Sequence, residues 1–427
     1  MARSTGKPPA ANVLYVTYDG LTDPLGRSQV LPYLIGLSAR GYRITILSLE
    51  KPERFERDAA AIRQICEANG LAWEPLPYHR APPLLSSMFD AAALKRAAIR
   101  LHRCSPFDMV HCRSYIPAMA GLELKRRFGI PFLFDMRGFW PDERVEGGSW
   151  SLTNPIYRRV YAYFKVLEAK LLSEAGHIIS LTRAGKKQLL TRPQFRPSGA
   201  AITVIPCCVD VDHFPLIEKQ AREAARSTLS ISPDARVVAY LGSVGSWYLL
   251  QEMLDFFRVY QRSHGNAVLL FVTPDDPDSI DAKANRMGIG ADRLIIRSAS
   301  RDEVPQLMAA ADFGLFFIKR CFSKIASSPT KMGEMLALGL PIITNAGVGD
   351  VAEIVTETGC GAAIEHFDEA SYETAIATLE TLPHSAEQLR EIARSLFDIK
   401  LGLDGYEDIY RSLIPTTDRN ISTSRGA

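Results

Sequence analysis

Long apolar runs are missing from this sequence. No stretch of its 427 residues approaches the roughly 20 consecutive apolar residues that a membrane-spanning helix needs. The longest, Ala267–Val272 and Phe313–Ile318, have the length of buried strands. A secretory leader is not expected either. The first residues carry one Arg and one Lys but no h-region, and Val13–Val16 runs into a polar loop containing Asp19. Cysteine is sparse: seven residues at irregular spacing give neither a disulfide framework nor a zinc pattern. The adjacent Cys207 and Cys208 read as packing residues rather than a redox pair. His79, His102, His213 and His264 form no Glu-flanked or i,i+4 metal motif. Together these absences make the cytoplasm the expected location. A strong charge excess is missing too. A net charge of +2 with no recognition motif argues against nucleic-acid binding.

What is present is the composition of a soluble globular protein, 47% apolar and 23% charged. The length suits two α/β domains better than one core. Charge is unevenly placed. Residues 1–200 hold 29 Lys and Arg against 17 Asp and Glu, which leaves 21 against 31 for the remainder. A basic half joined to an acidic half suits an anionic surface or a phosphate-bearing partner. Solvated helix faces account for it equally well.

The dominant rhythm is a short β-branched strand, a turn, then an amphipathic helix. In the first half strands are expected at Asn12–Thr17, Arg43–Ser48, Met109–His111, Phe132–Asp135, His177–Leu181 and Ile202–Ile205. Helices such as Gln29–Ala39, Leu94–Arg103, Ala118–Phe128 and Pro155–Glu174 lie between them. The second half repeats the rhythm with strands at Val237–Leu241, Ala267–Val272, Arg293–Ile296, Phe313–Phe317, Pro341–Thr344 and Gly361–Ile364. Alternating βα units imply parallel sheets covered by helices, and two such sets imply two doubly wound, Rossmann-like domains. The expected boundaries are 8–210 for the first domain, 211–233 for a charged, helix-friendly linker and 234–396 for the second. Residues 397–427 are expected to form a C-terminal helix packing back on the first domain, then a frayed tail. Ligands of open α/β sheets lie at the carboxyl ends of the strands, so the chemistry is sought in the loops there.

The run Ser328–Pro341 reads Ser-Pro-Thr-Lys-Met-Gly-Glu-Met-Leu-Ala-Leu-Gly-Leu-Pro. Ser328 reads as an N-cap, Pro329 as the first helical residue and Gly339 as the stop. Free N–H groups and the helix dipole at Pro329, Thr330 and Lys331 suit a diphosphate, and Lys331 adds a full positive charge. Glu334 shares that helix face and is able to accept hydrogen bonds from two ribose hydroxyls. An ordinary capped helix with a surface Lys and Glu is the plain alternative. Gly242-Ser-Val-Gly245 follows a strand, where missing side chains let backbone approach a ligand. Asn345–Asp350 follows another, and Asp350 with Glu353 reads as a capping box for the next helix.

In the first half, the loop Asp19–Val30 sets Gly26 just ahead of a helix beginning near Ser28, with Arg27 and Gln29 as candidate contacts. The segment Phe134–Gly148 gathers Asp135, Arg137, Asp142, Glu143 and Arg144 beside Phe139 and Trp140, directly after a strand. Sugar sites combine these types, because aromatic faces stack on pyranose rings while carboxylates bind hydroxyls. A buried Asp–Arg pair ordering the loop is the alternative. His111 ends the preceding strand, where it would hydrogen-bond a substrate hydroxyl, tune Asp135 or serve as a satisfied structural histidine. Basic clusters lie at Lys125–Arg127, at Arg158 and Arg159, and from Lys95 to Arg103. Tyr157, Tyr161, Tyr163 and Phe164 interleave with the second. A membrane-surface face and buried aromatics with solvated Arg both fit that pattern.

Several of these segments resemble family 4 glycosyltransferases, which have the GT-B fold. Asp312-Phe-Gly-Leu followed by Ser328–Thr344 is similar to that family's donor-binding signature, and Val204–Asp210 with Phe214 to the segment closing its first domain. Tyr240–Gly245 and the Arg-Gly-Tyr-Arg-Ile-Thr run at 40–45 fit as well, so the likeness covers essentially the whole chain in order. It implies two Rossmann-like domains facing a central cleft, and a retaining transfer from a nucleoside-diphosphate sugar, expected to be UDP-linked. It further implies a glycan or lipid-linked acceptor, a role in polysaccharide or glycoconjugate biosynthesis, and peripheral contact with the inner membrane surface. Donor contacts are implied for Gly242, Ser243, Ser328, Pro329, Thr330, Lys331 and Glu334, with Gly26, Arg27 and Gln29 as the phosphate and acceptor loop. Asp135 stands where relatives set a His or Asp against the reacting sugar, and Arg137 and His111 complete the expected catalytic group.

The sequence departs from the family pattern at three places. Ser243 replaces a common Arg, Trp247 and Tyr248 stand where a Lys would follow, and Ala326 stands where the first of two paired glutamates would be. A subset of the family with a Ser-Pro-x-Lys run is similar at this place, which makes Lys331 the leading diphosphate residue and Arg320 or Lys324 its helpers. No Asp-x-Asp pair suited to a donor-bound metal appears, so neither a metal nor another cofactor is expected. The same residues also admit a nucleotide-sugar-binding partner subunit that has lost catalysis, or a UDP-sugar epimerase.

Overall fold

The computed structural model describes residues 11–192 and 200–414. The first sheet is built from β1 (Asn12–Thr17), β2 (Arg43–Glu50), β3 (Ala72–Pro77), β4 (Met109–Arg113), β5 (Phe132–Asp135), β6 (His177–Ser180) and β7 (Ala201–Val204), in the order β3-β2-β1-β4-β5-β6-β7. The second holds β8 (Val237–Leu241), β9 (Val268–Val272), β10 (Leu294–Arg297), β11 (Phe313–Leu315), β12 (Ile342–Asn345) and β13 (Gly361–Ile364), in the order β10-β9-β8-β11-β12-β13. Pairing is parallel: Tyr15 of β1 faces Ile46 of β2 on one side and His111 of β4 on the other. In the second sheet β8 pairs with β9 and β11 in the same sense. Every residue of β4, β5, β8 and β9 is buried, so both faces of each sheet are covered. Strand order reverses direction between β1 and β4 and again between β8 and β11. At such switch points a doubly wound sheet opens a crevice at its carboxyl edge.

The chain divides into two compact units. One takes the described residues up to Asp135, Leu171–Ile178, and those from Leu403 onward; the other takes Met136–Lys170 and Ile179–Gly402. In the first unit, the last turns of the helix Ile399–Leu413 lie against the helix Leu31–Ala39. A Cβ on Gly36 would fall 2.5 Å from Leu403 Cδ1, so a larger residue there would push that leucine aside. Arg40 pairs with Asp404 and Glu407, each at 2.7 Å. In the second unit Phe256, Phe271, Phe313 and Phe316 are fully buried around the sheet. Asp312, at the start of β11, accepts the Val237 N–H at 2.7 Å and pairs with Arg222 and Arg226 of the helix Lys219–Thr228. That helix lies within the charged stretch 211–233.

The strands fall within a few residues of their expected places, and the first half holds elements that were not expected, among them a strand and a long helix. β3 reads Ala-Trp-Glu-Pro-Leu-Pro, whose prolines are tolerated because β3 is an edge strand. The helix Pro52–Ala68 buries only Ile62 and Cys66, so its apolar periodicity is faint. The helix expected from Gln29 starts earlier, at Pro24, and breaks at Val30 into Pro24–Gln29 and Leu31–Ala39. Among the described residues no helix is long and apolar enough to cross a membrane. The expected frayed tail, beyond residue 414, lies outside the described residues.

Candidate functional site

At the carboxyl end of β8 the chain turns at Gly242, whose φ is +100°, and a Cβ there would lie 3.6 Å from Lys331 Nζ. Lys331 rises from the first turn of the helix Thr330–Ala337 and is 4% exposed. Its Nζ donates to the Tyr240 hydroxyl at 2.9 Å, and that hydroxyl donates to the Ser243 carbonyl. The same Nζ stands 4.0 Å from the Tyr240 ring centroid and 3.5 Å from that of Tyr248. Burial drives the amine well below the usual lysine range, against the pull of Glu334 and Asp275, neither of which pairs with it. Burial also pushes the Tyr248 phenol up to about 12 and raises Tyr240.

Glu334 lies on the same helix. Burial raises its carboxyl, an effect opposed by Arg301, whose Nη1 is 3.6 Å away. Asp275 fixes the glycine loop: its carboxylate accepts the Ser243 hydroxyl at 2.8 and 2.9 Å and the Val244 N–H at 2.6 Å. Ser243, Gly242, Lys331 and Glu334 therefore share one neighbourhood, together with Tyr240, Tyr248, Asp275 and Arg301, which the sequence reading did not single out as site residues.

Two capping assignments are corrected. The helix begins at Thr330, with Pro329 in the cap position at φ −73° and ψ 117° and no side-chain cap. That extended backbone carries Ser328 one residue too far to fold back on the helix. Its Oγ instead accepts the Cys207 N–H at 3.1 Å. Asp350 makes no side-chain cap to its own helix either. Its carboxylate accepts the N–H groups of Arg183 (2.6 Å) and Ala184 (2.9 Å), at the start of the helix Arg183–Leu190.

Ala326 sits in the 3-10 turn Phe322–Ala326, which two carboxylates of the helix Trp140–Glu146 hold in place. Glu146 accepts the N–H groups of Phe322 and Ser323 at 2.9 and 2.8 Å. Burial pushes its pKa upward, yet these hydrogen bonds win and hold the carboxyl below its usual range. Glu143 pairs at 2.8 Å with Lys324, whose Nζ lies 3.8 Å from the Trp247 ring centroid. Arg320 is taken up elsewhere, by the Ile364 carbonyl at 3.0 Å and the Phe367 ring.

In the same unit Arg137 adopts left-handed backbone, φ +55°, and its Nη2 lies 3.2 Å from Cys207 Sγ. The aromatic residues beside it pack against other rings. Phe139 is fully buried and stacks on Phe322 at 4.9 Å, and Trp140 meets Trp150 and Phe164 edge-on. Asp142 accepts from Tyr161 at 2.7 Å and Lys165 at 2.9 Å.

The first unit brings His111 and Asp135 together at the carboxyl ends of β4 and β5. Both are buried, with His111 Nε2 3.5 Å from Asp135 Oδ2. The Tyr410 hydroxyl meets His111 Nδ1 at 2.8 Å, and the Tyr406 hydroxyl donates to Asp135 Oδ2 at 3.0 Å. Arg113 spans the β1/β4 switch point, with Nη1 3.9 Å from Asp135 and Nε 3.3 Å from Asp19. Its position two residues beyond His111, on the same face of β4, was the available signal for it. Tyr410 is 299 residues away from His111 in the chain, and no local pattern connects them.

The first-strand loop is also rearranged. Gly26 lies inside the helix Pro24–Gln29 instead of ahead of a helix, and a Cβ there would fall 2.0 Å from the Gly20 carbonyl oxygen. Close packing therefore accounts for this glycine. Arg27 pairs with Asp58 at 3.0 Å, and Gln29 is buried. Buried Glu50 anchors the loop by accepting the N–H groups of Leu21 (2.7 Å) and Thr22 (3.1 Å) and the Thr22 hydroxyl (2.6 Å). Among the described residues no three His, Cys, Asp or Glu side chains are grouped to hold a metal.

Comparison with known proteins gives these features a context. Residues 33–213 match the model of Glycosyltransferase Family 4, and residues 221–396 that of Glycosyl transferases group 1. D-inositol 3-phosphate glycosyltransferase 2 of Catenulispora acidiphila is 23% identical over 316 residues, which cover 71% of this chain and 69% of that protein. A glycosyltransferase from Rickettsia africae is similar in structure with a TM-score of 0.70 at 13% identity, covering 96% of this chain and 100% of that one. Anabaena HepE in complex with UDP and glucose gives 0.66 at 15% identity, covering 94% and 100%. These structural likenesses speak for the fold alone. With the two sheets and both sequence matches, they make this chain a family 4-like glycosyltransferase of the GT-B fold.

Proposed function

We propose that this enzyme transfers a sugar, with retention, from a UDP-sugar to a glycan or lipid-linked acceptor in polysaccharide or glycoconjugate biosynthesis. The observation that carries the reading is Lys331, a buried lysine at the start of a helix beneath the Gly242 turn, with no carboxylate partner among the described residues. A diphosphate is the counter-charge that such a side chain lacks. The first-turn N–H groups of Thr330 and Lys331 have no partner within the helix by position and would bind the same group. Glu334 takes the ribose hydroxyls in this reading. Preorganised donors aimed at the departing UDP are worth about 3 kcal/mol each, so they would carry much of the catalysis without a metal ion. The reading places the chain in the Ser-Pro-x-Lys subset and gives Asp135, Arg137 and His111, joined by Arg113, the task of positioning the reacting sugar.

The HepE complex contains UDP and glucose, which supports a UDP-sugar as the donor. Exposed Ile156, Tyr163 and Val166, with Arg159 on the helix Pro155–Glu174, favour contact with an anionic membrane surface that holds a lipid-linked acceptor. The test is UDP release from a panel of UDP-sugars with glycan and lipid-linked acceptors, with and without chelator, and the anomer assigned by NMR. Acceptor-dependent release with a retained anomer, unaffected by chelator, is expected. Conversion of the donor without any acceptor would replace transfer by epimerisation.

A further inference from the structure

Trp247 and Tyr248 occupy the place of the missing family lysine, and their rings carry lysines from elsewhere in the chain: Lys324 on Trp247 and Lys331 on Tyr248. We propose that Tyr240 and Tyr248 are positioning residues that aim Lys331 at the donor diphosphate, and that Lys331 is a neutral amine in the empty site and takes up one proton as the diphosphate binds. The inference rests on the donor-site reading above.

The geometry specifies the cage. Nζ has one hydroxyl partner, Tyr240, at 2.9 Å and two ring faces, at 4.0 and 3.5 Å. Because the Tyr240 hydroxyl donates its own proton to the Ser243 carbonyl, only its lone pairs face Nζ, and a neutral amine satisfies that contact as donor. The charged and titratable groups around it are otherwise engaged. Glu334, on the same helix, faces Arg301; Asp275, after β9, holds Ser243 and Val244; Cys207 lies beyond Tyr248. A buried ammonium without a counter-ion costs more than the amine, and burial favours the amine here. The arriving diphosphate reverses that balance, while the ring faces keep the cation from collapsing elsewhere. The step is a proton transfer from water or buffer to the Nζ lone pair, and no other bond changes.

The test is calorimetric titration of the full chain with UDP in Tris and in Hepes at about pH 8, where the terminal phosphate, with its pKa of about 6, is already ionised. The expected result is a net proton uptake on UDP binding, read from the dependence on buffer ionisation enthalpy. Tyr248→Phe keeps the ring and the uptake. Tyr248→Leu weakens UDP about tenfold or more, since a desolvated cation–π contact is lost, and leaves uridine affinity unchanged. UDP binding whose enthalpy is the same in both buffers would overturn the inference and spare the donor-site reading. So would a folded Tyr248→Leu that binds UDP as the wild type does. A wild-type protein that binds no UDP would overturn both.

Discussion

The Nζ of Lys331 stands 3.5 Å from the centroid of the Tyr248 ring, and among the described residues no carboxylate is paired with it. Its folded pKa lies well below 10.5, so across that window the unfolded chain binds more protons and stability rises with pH. Lys331→Met removes the penalty. The variant should be more stable near neutral pH, because methionine carries no desolvation penalty of an ionisable amine. The gain should shrink as pH approaches 10.5, which thermal melts over a pH series will show. A methionine variant that melts below the wild type would contradict it.

UDP affinity should fall as pH rises above the free-site value of Lys331, by up to about tenfold per pH unit, because binding takes up a proton. Lys331→Arg, which stays charged, should lose this slope. Affinities measured from pH 7 upward give the comparison.

Gly242→Ala places a side chain at φ +100° and sets a methyl 3.6 Å from Lys331 Nζ. The backbone strain costs about 1 kcal/mol or more, and UDP binding should weaken together with the melting temperature. Gly245→Ala, with only the Ser243 hydroxyl within 4 Å of the new methyl and no left-handed backbone, should be far milder.

Tyr410→Phe keeps the ring packing on His111 and Tyr42 but removes the hydroxyl 2.8 Å from His111 Nδ1. A loss of about 1 kcal/mol is expected. Asp135→Asn should lower turnover while leaving UDP affinity within about twofold, because the proposed diphosphate contacts come from residues 240–334. Equal losses in both quantities would contradict that separation.

The extent to which the sequence was legible follows from the range of each signal. Strands such as β5 and β8 matched their expected limits because fully buried parallel strands read as continuous apolar runs. β3 escaped notice because its prolines and Glu74 break the run, and Pro52–Ala68 because two buried residues in four turns make little periodicity. In the site, Lys331 and Glu334 were visible through the helix start and stop signals around them. Tyr240 was not, because it meets Lys331 across 91 residues of chain. The capping misreadings at Ser328 and Asp350 share one cause. Each side chain meets backbone N–H groups distant in sequence, and a local motif cannot anticipate that competition.

Glu146 offers a separate check. Its depressed carboxyl contributes stability that is present above the unfolded value of 4.5 and lost as pH falls through the lower folded value. Glu146→Gln should cost about 1–3 kcal/mol by weakening acceptance of the Phe322 and Ser323 N–H groups. It should also flatten the acid limb of the stability profile, followed by urea unfolding across acidic pH.

The measurement that bears most directly on the donor site is calorimetric binding of UDP, GDP and ADP to the wild type and to Lys331→Ala. The account predicts selective UDP binding, weakened in the variant by at least about 1.4 kcal/mol, a factor of ten. UDP binding that is unchanged in Lys331→Ala, or no nucleotide binding by the wild type, would contradict it.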